Sequence, residues 1–102
     1  MANVLTVVAK LRAGKGKGDA LAALLTEQAA VVRKAEPGCT TYRVHRSTTD
    51  PESFLFYETY ADDAAFELHR KAPHLALYRQ RREAERLTDG AAVVEVFRSF
   101  TE

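Results

Sequence analysis

The sequence predicts an α+β domain in which one antiparallel sheet of four strands carries helices on one face. Three observations carry this. The apolar period switches between two and about 3.6 along the chain. Clusters of Gly, Pro, Asp and Thr separate the periodic segments. The segments run in the order strand, helix, strand, strand, helix pair, strand, which is the split βαβ, ferredoxin-like arrangement.

The first strand spans Asn3–Arg12, with apolar residues at Val4, Leu5, Val7, Val8, Ala9 and Leu11. Ala13–Gly18 is a glycine- and lysine-rich connector. From about Lys17 to Ala35 the period becomes helical, with Leu21, Leu24, Leu25, Gln28 and Val32 on one stripe. Glu36-Pro37-Gly38 stops that helix. Cys39–Thr48 and Ser53–Ala61 are β-rich and flank the turn Thr49-Asp50-Pro51-Glu52, which makes them a hairpin. On the second of these strands Phe54, Phe56, Glu58 and Tyr60 share one face. Asp62 or Asp63 is placed to cap a short helix running to about Lys71. Pro73 suits the first turn of another helix, read to about Leu87. Ala91–Phe100 is the last strand.

Residues 1–102 read as a single domain, and apolar side chains fall on both faces of the first, third and fourth strands. Helices cover only one face of such a sheet. Pairing with a second copy, a homodimer forming a dimeric α+β barrel, is the simplest way to shelter the other. A monomer offering a groove to another partner is the alternative.

Charge and cysteine content exclude several classes. Fifteen Lys and Arg against 14 Asp and Glu leave a net charge of +1, without the basic face that a nucleic-acid binder carries. In the basic run Arg79–Arg86, Glu83 and Glu85 stand four residues from Arg79 and Arg81, the spacing of a solvated, ion-paired helix face. Cys39 is the only cysteine, so no disulfide forms within the chain. Val4–Ala9 is too short and lacks the preceding basic residues of a signal peptide, and no apolar run reaches membrane-spanning length. A reducing, cytoplasmic setting is expected, with neither membrane nor nucleic acid as a partner.

The residues suited to chemistry gather near the helix break. His69 follows Phe66 by three positions and Tyr78 follows His74 by four, so each pair shares a helix face, and only Ala72-Pro73 separates the groups. Imidazole moves protons near neutral pH. Glu58 lies between Phe56 and Tyr60 on its strand face, where desolvation would raise its pKa and make it a usable base. Each has a plainer competing role. His74 packs or bonds to backbone at a helix start, and His69 sits at the solvent edge. Glu58 pairs with an arginine from a neighbouring strand or from the dimer partner, for example Arg43 or Arg98, while Tyr42, Tyr57 and Tyr60 are core or interface. No HExxH, CxxC, P-loop or GxSxG pattern occurs, and His69 with His74 alone is too few ligands for a metal, so no metal is expected. Cys39 reads as a small buried residue.

Taken together, Glu36-Pro37-Gly38-Cys39, Tyr42, Phe56-Tyr57-Glu58-Thr59-Tyr60, Ala65, His69, Pro73-His74 and Tyr78 resemble the antibiotic biosynthesis monooxygenase (ABM) family. The likeness is greatest to its small quinol-monooxygenase-like and autoinducer-isomerase-like members and spans nearly the whole chain. It implies a dimeric barrel with a pocket between helices and sheet, and oxidation of a small aromatic or quinol-type substrate by O₂ with no cofactor. It makes His69 the base or substrate anchor, with His74 and Glu58 as catalytic partners. Tyr78, Phe66, Tyr60 and Tyr42 are then the substrate-binding candidates. The haem-degrading branch carries an asparagine on the first strand and a tryptophan on the short helix. Ala9 and His69 stand there in this chain, which contains no tryptophan, and this disfavours haem degradation. Isomerisation of a small hydroxyketone and a non-catalytic small-molecule-binding module are the alternatives.

Overall fold

The computed structural model of the chain describes residues 4–101. Its elements follow the expected order: β1 (Leu5–Arg12), α1 (Gly18–Ala35), β2 (Cys39–Arg46), β3 (Ser53–Tyr60), α2 (Asp63–Lys71), α3 (Pro73–Ala84) and β4 (Val93–Arg98). Asn3, where the apolar pattern starts the first strand, lies outside the described residues. The four strands pair antiparallel in the order β2-β3-β1-β4, the ferredoxin-like topology.

The period-two patterns set the register. Leu5, Val7, Ala9 and Leu11 point to the helix side with Phe54, Phe56, Glu58 and Tyr60, because Val7 stands opposite Glu58 and Ala9 opposite Phe56. Helix α1 lays Leu21, Leu24, Leu25 and Val32 over this face, each at most 4% exposed. Asp62 caps α2 by accepting from the Ala65 amide at 2.8 Å, and Pro73 opens α3. Gly38 sets how closely α2 docks: a Cβ there would lie 2.5 Å from the Ala65 Cβ.

Several details differ from the sequence pattern. Strand β2 stops at Arg46 because the Ser47 hydroxyl accepts from the amides of Thr49 and Asp50 and turns the chain. Helix α3 ends at Ala84 rather than Leu87. Arg86 adopts a left-handed conformation (φ 52°), which swings Leu87 into the core at 2% exposure. Of the two ion pairs read into the Arg79–Arg86 run, Arg81 approaches Glu85 at 3.9 Å, whereas Arg79 makes no such bridge among the described residues.

The open face of the sheet is less uniformly apolar than the sequence predicts. In register order it carries Thr41, Thr59, Thr6 and Phe97, then Arg43, Tyr57, Val8 and Glu95, then His45, Leu55, Lys10 and Val93. Strand β1 therefore contributes only Val8 as an apolar group there. The other apolar residues of β4, Val94 and Val96, lie on the helix side opposite Ala9 and Val7. They remain 55% and 49% exposed because the helices stop short of β4. Apolar character on both faces of β4 thus has two causes, an open sheet face and an uncovered strip beside the helices.

Candidate functional site

That uncovered strip borders a cavity of about 450 Å³ between the sheet and the α2–α3 pair. Val7, Ala9, Val94 and Val96 form its floor, with Tyr42, Phe56 and Glu58 farther along the sheet. Phe66, His69 and Arg70 reach it from α2, and Leu75, Tyr78, Arg79 and Arg82 from α3. A cleft of about 500 Å³ runs along α1 and β2, but its basic residues Arg33, Arg43, His45 and Arg46 are all exposed. The first cavity combines an apolar floor with the buried His69 and Glu58, the usual make-up of a ligand site.

His69, 6% exposed, is the centre of the arrangement. Its Nδ1 lies 2.9 and 3.0 Å from the two carboxylate oxygens of Glu36. Nε2 of His74 bonds to Oε2 of the same carboxylate. A carboxylate can only accept, so the partners assign the protons to Nδ1 of His69 and Nε2 of His74. In a neutral His69 ring, Nε2 then keeps its lone pair. That nitrogen faces Glu58, whose Oε1 lies 3.9 Å away, beyond hydrogen-bond reach. The ring is flanked by Tyr60 and Tyr42, with centroids 5.3 and 6.0 Å distant.

Glu58 is held from its other side by the Tyr60 hydroxyl, which donates at 2.6 Å. Burial pushes the Glu58 carboxyl above its ordinary range; the Tyr60 hydrogen bond and His69 oppose the shift, while Glu36 adds to it. The same burial raises the hydroxyls of Tyr42 and Tyr60, so both stay protonated donors. At Tyr78 burial also raises the hydroxyl, against a hydrogen bond from Arg82 at 3.2 Å.

Of the predicted site residues, the structure brings His69, Glu58, Tyr78, Phe66 and Tyr42 to the lining of one cavity. Tyr60 is fully buried behind Glu58 and does not line it. His74 lies on the far side of Glu36 and borders a separate cleft with Pro37, Gly38 and Leu68. Two competing roles are overturned. His69 is not at the solvent edge. His74 spends its ring on Glu36 rather than backbone. Among the described residues Glu58 pairs with no arginine of its own chain, because Arg43 points to the open face and Arg98 bonds Asp63 at 3.1 Å. Cys39 is half-buried rather than buried; its thiol donates to the Thr41 carbonyl at 3.3 Å, and burial pushes it up to about 11, which leaves it unreactive.

Sequence reasoning passed over Glu36, Arg79 and Arg82. Glu36 reads locally as a helix stop, and nothing nearby indicates its imidazole partners 33 and 38 residues away. For the arginines a signal existed: Leu75, Tyr78, Arg79 and Arg82 fall at i, i+3, i+4 and i+7, the inward stripe of α3. Glu36 also supplies the third donor that His69 and His74 lacked as a metal set. The three donor atoms lie within 4.8 Å of one another, although each is already engaged in the hydrogen bonds described.

Residues 4–81 match the family model described as antibiotic biosynthesis monooxygenase. The chain belongs to this family. Solved structures agree. PA3566 from Pseudomonas aeruginosa is 30% identical with a TM-score of 0.86, over 99% of this chain and 98% of that one. SO0527 from Shewanella oneidensis is 27% identical with a TM-score of 0.85, over 97% and 93%. Rv0793 from Mycobacterium tuberculosis is 27% identical with a TM-score of 0.83, over 97% of each. Among curated sequences, protein sll1783 of Synechocystis is 37% identical over 41 residues, 40% of this ABM chain but only 28% of that protein's length. No helix among the described residues is long and apolar enough to cross a membrane.

Proposed function

We propose that this ABM protein, with residues 1–102 as one domain, is a cofactor-independent monooxygenase acting on a small aromatic or quinol-type substrate with O₂. The observation that carries this reading is His69: Nδ1–H is committed to Glu36, so the neutral imidazole turns a bare Nε2 toward an apolar chamber. That is how a base is prepared to take a phenolic proton. The electron-rich anion passes one electron to O₂, and the resulting radicals combine at a ring carbon as a hydroperoxide. Loss of water then leaves a carbonyl, so one oxygen atom enters the product and the other departs as water. The protein's part is desolvation by Phe56, Phe66 and Leu75, orientation, and proton transfer through His69 and Glu58.

The protein works in the cytoplasm as a homodimer. Tyr57, Val93 and Phe97 on the open sheet face are 41%, 65% and 53% exposed. Two copies packed through these faces would close a barrel and shelter them.

Isomerisation of a small hydroxyketone is a second reading, favoured by the 3.9 Å spacing of His69 and Glu58. Two proton-transfer groups so placed can serve adjacent carbons. An oxygen electrode separates the readings. Uptake of O₂ with a panel of hydroquinones, lost on His69→Ala while the variant stays dimeric by sedimentation, is the expected result. Uptake that survives His69→Ala refutes the assignment of the base, and isomer formation without O₂ uptake establishes the second reading instead.

A further inference from the structure

We propose that the cavity recognises an aromatic ligand bearing an oxyanion substituent, a carboxylate in the first instance, and that Arg79 and Arg82 bind that group. The proposal rests on the reading of this cavity as the substrate chamber and specifies the substrate's charge.

The inward stripe of α3 begins with the buried Leu75 and Tyr78 and continues at the cavity mouth with two guanidinium groups, Arg82 half-buried and Arg79 exposed. Half of the ten arginines are paired with carboxylates among the described residues, including Arg12 with Asp50, Arg46 with Asp19, Arg81 with Glu27 and Arg98 with Asp63. The third arginine of the cavity, Arg70, is held by Glu67 at 2.9 Å. Arg79 and Arg82 make no ion pair among the described residues. Arg82 donates to the Tyr78 hydroxyl and lies over that ring at 5.2 Å, and its buried Nε has no acceptor.

The opposite wall does not offset this charge. Its one carboxylate is Glu58, which burial biases toward the neutral acid. The chamber therefore combines an apolar floor, a proton acceptor on α2 and a positive rim on α3. An anion bound within a low-dielectric pocket feels that rim far more than it would in water. Paired guanidinium groups also suit the two oxygens of a carboxylate.

The test compares 2,5-dihydroxybenzoate with methylhydroquinone, near-isosteric probes that differ in the carboxylate, by calorimetric titration of the full-length protein at low salt. The carboxylate is expected to bind at least about tenfold tighter, with the advantage shrinking as salt is raised. Arg79→Gln and Arg82→Gln should each remove most of that advantage and leave methylhydroquinone affinity within about twofold. Arg81→Gln, on the outer face of α3, should change neither. Should Arg82→Gln fail to fold because it packs on Tyr78, Arg79→Gln carries the test alone. Equal affinities, no carboxylate binding, or an advantage that survives both substitutions overturns the proposal. The titrations are run without O₂, so binding is read without turnover and the two readings fail separately. Carboxylate selectivity without O₂ uptake sinks only the monooxygenase, and O₂ uptake with the neutral quinol without selectivity sinks only the oxyanion site.

Discussion

Replacing Glu36 is the most direct probe of the site, because one buried carboxylate orients both imidazoles. Its side chain is 9% exposed and those of His69 and His74 are 8% and 19% exposed. In Glu36→Ala two largely buried N–H donors lose their acceptor. A hydrogen bond to a charged group is worth about 1.5–3 kcal/mol, and an orphaned buried donor costs about 1–3 kcal/mol. The two losses share one partner and do not simply add, so a total of about 2–4 kcal/mol is expected. For a domain of this size that lowers Tm by roughly 10–25 °C. Glu36→Gln differs instructively. The amide oxygen can accept from His69 while its NH₂ donates to His74, which must then present a bare Nε2. Most of the stability should return, with His74 in the opposite tautomer. Thermal unfolding measures the first effect, and long-range ¹H–¹⁵N correlations of the imidazole nitrogens measure the second. A Glu36→Ala variant that melts within 2 °C of the parent protein (about 0.5 kcal/mol) refutes the reasoning. So does a His69 ring protonated at Nε2 rather than Nδ1 in the parent.

Other consequences can be checked independently. The folded state favours protonated Glu58, so the stability this group contributes is fully present below the ordinary carboxylate range and is lost as pH rises through its raised value. Glu58→Gln does not titrate, and its melting temperature should gain on the parent's between pH 4 and pH 8; a constant gap contradicts this. Zinc at micromolar concentration should inhibit turnover by displacing the protons of His69 and His74 and occupying the three-donor set. EDTA should leave activity unchanged, and inhibition that persists in Glu36→Ala would place the ion elsewhere. Gly38→Ala should cost about 1–3 kcal/mol by forcing α2 off the sheet at Ala65, read by denaturant titration. Phe97→Glu puts a charge on the open sheet face and should shift the protein toward monomer in sedimentation, with the fold retained by circular dichroism.

Most of the fold is legible because it follows local periodicities. The alternation in Ser53–Tyr60, the Asp-Pro turn before it and the Pro73 break between two helices each act over a few residues. What escapes is long-range or depends on coverage. Nothing near Glu36 distinguishes a carboxylate that ends a helix from one that clamps two histidines more than thirty residues away. The early end of α3 depends on Leu87 finding a place in the core, a tertiary gain that outweighs helical continuation. Apolar residues on both sides of β4 suggest one cause, a partner sheet, but Val94 and Val96 instead floor the cavity. For the site, His69 and Phe66 are legible as one helix face. Arg79 escapes because the same basic run also fits a solvated, ion-paired surface.

The departures from local pattern are not scattered. Glu58 interrupts an aromatic strand face, the half-buried Arg82 stands on the inward stripe of α3 with a buried Nε that has no acceptor, and Glu36 is buried at a helix end where solvent is usual. Each departure carries a cost in desolvation, and well-packed apolar replacements would be neutral or stabilising at such positions. Three unrelated structural accidents would have no reason to meet. Here Glu58, Arg79 and Arg82 line the same cavity, and Glu36 reaches it through His69. Convergence of locally unfavourable polar groups on one apolar chamber marks a site shaped for chemistry rather than for folding.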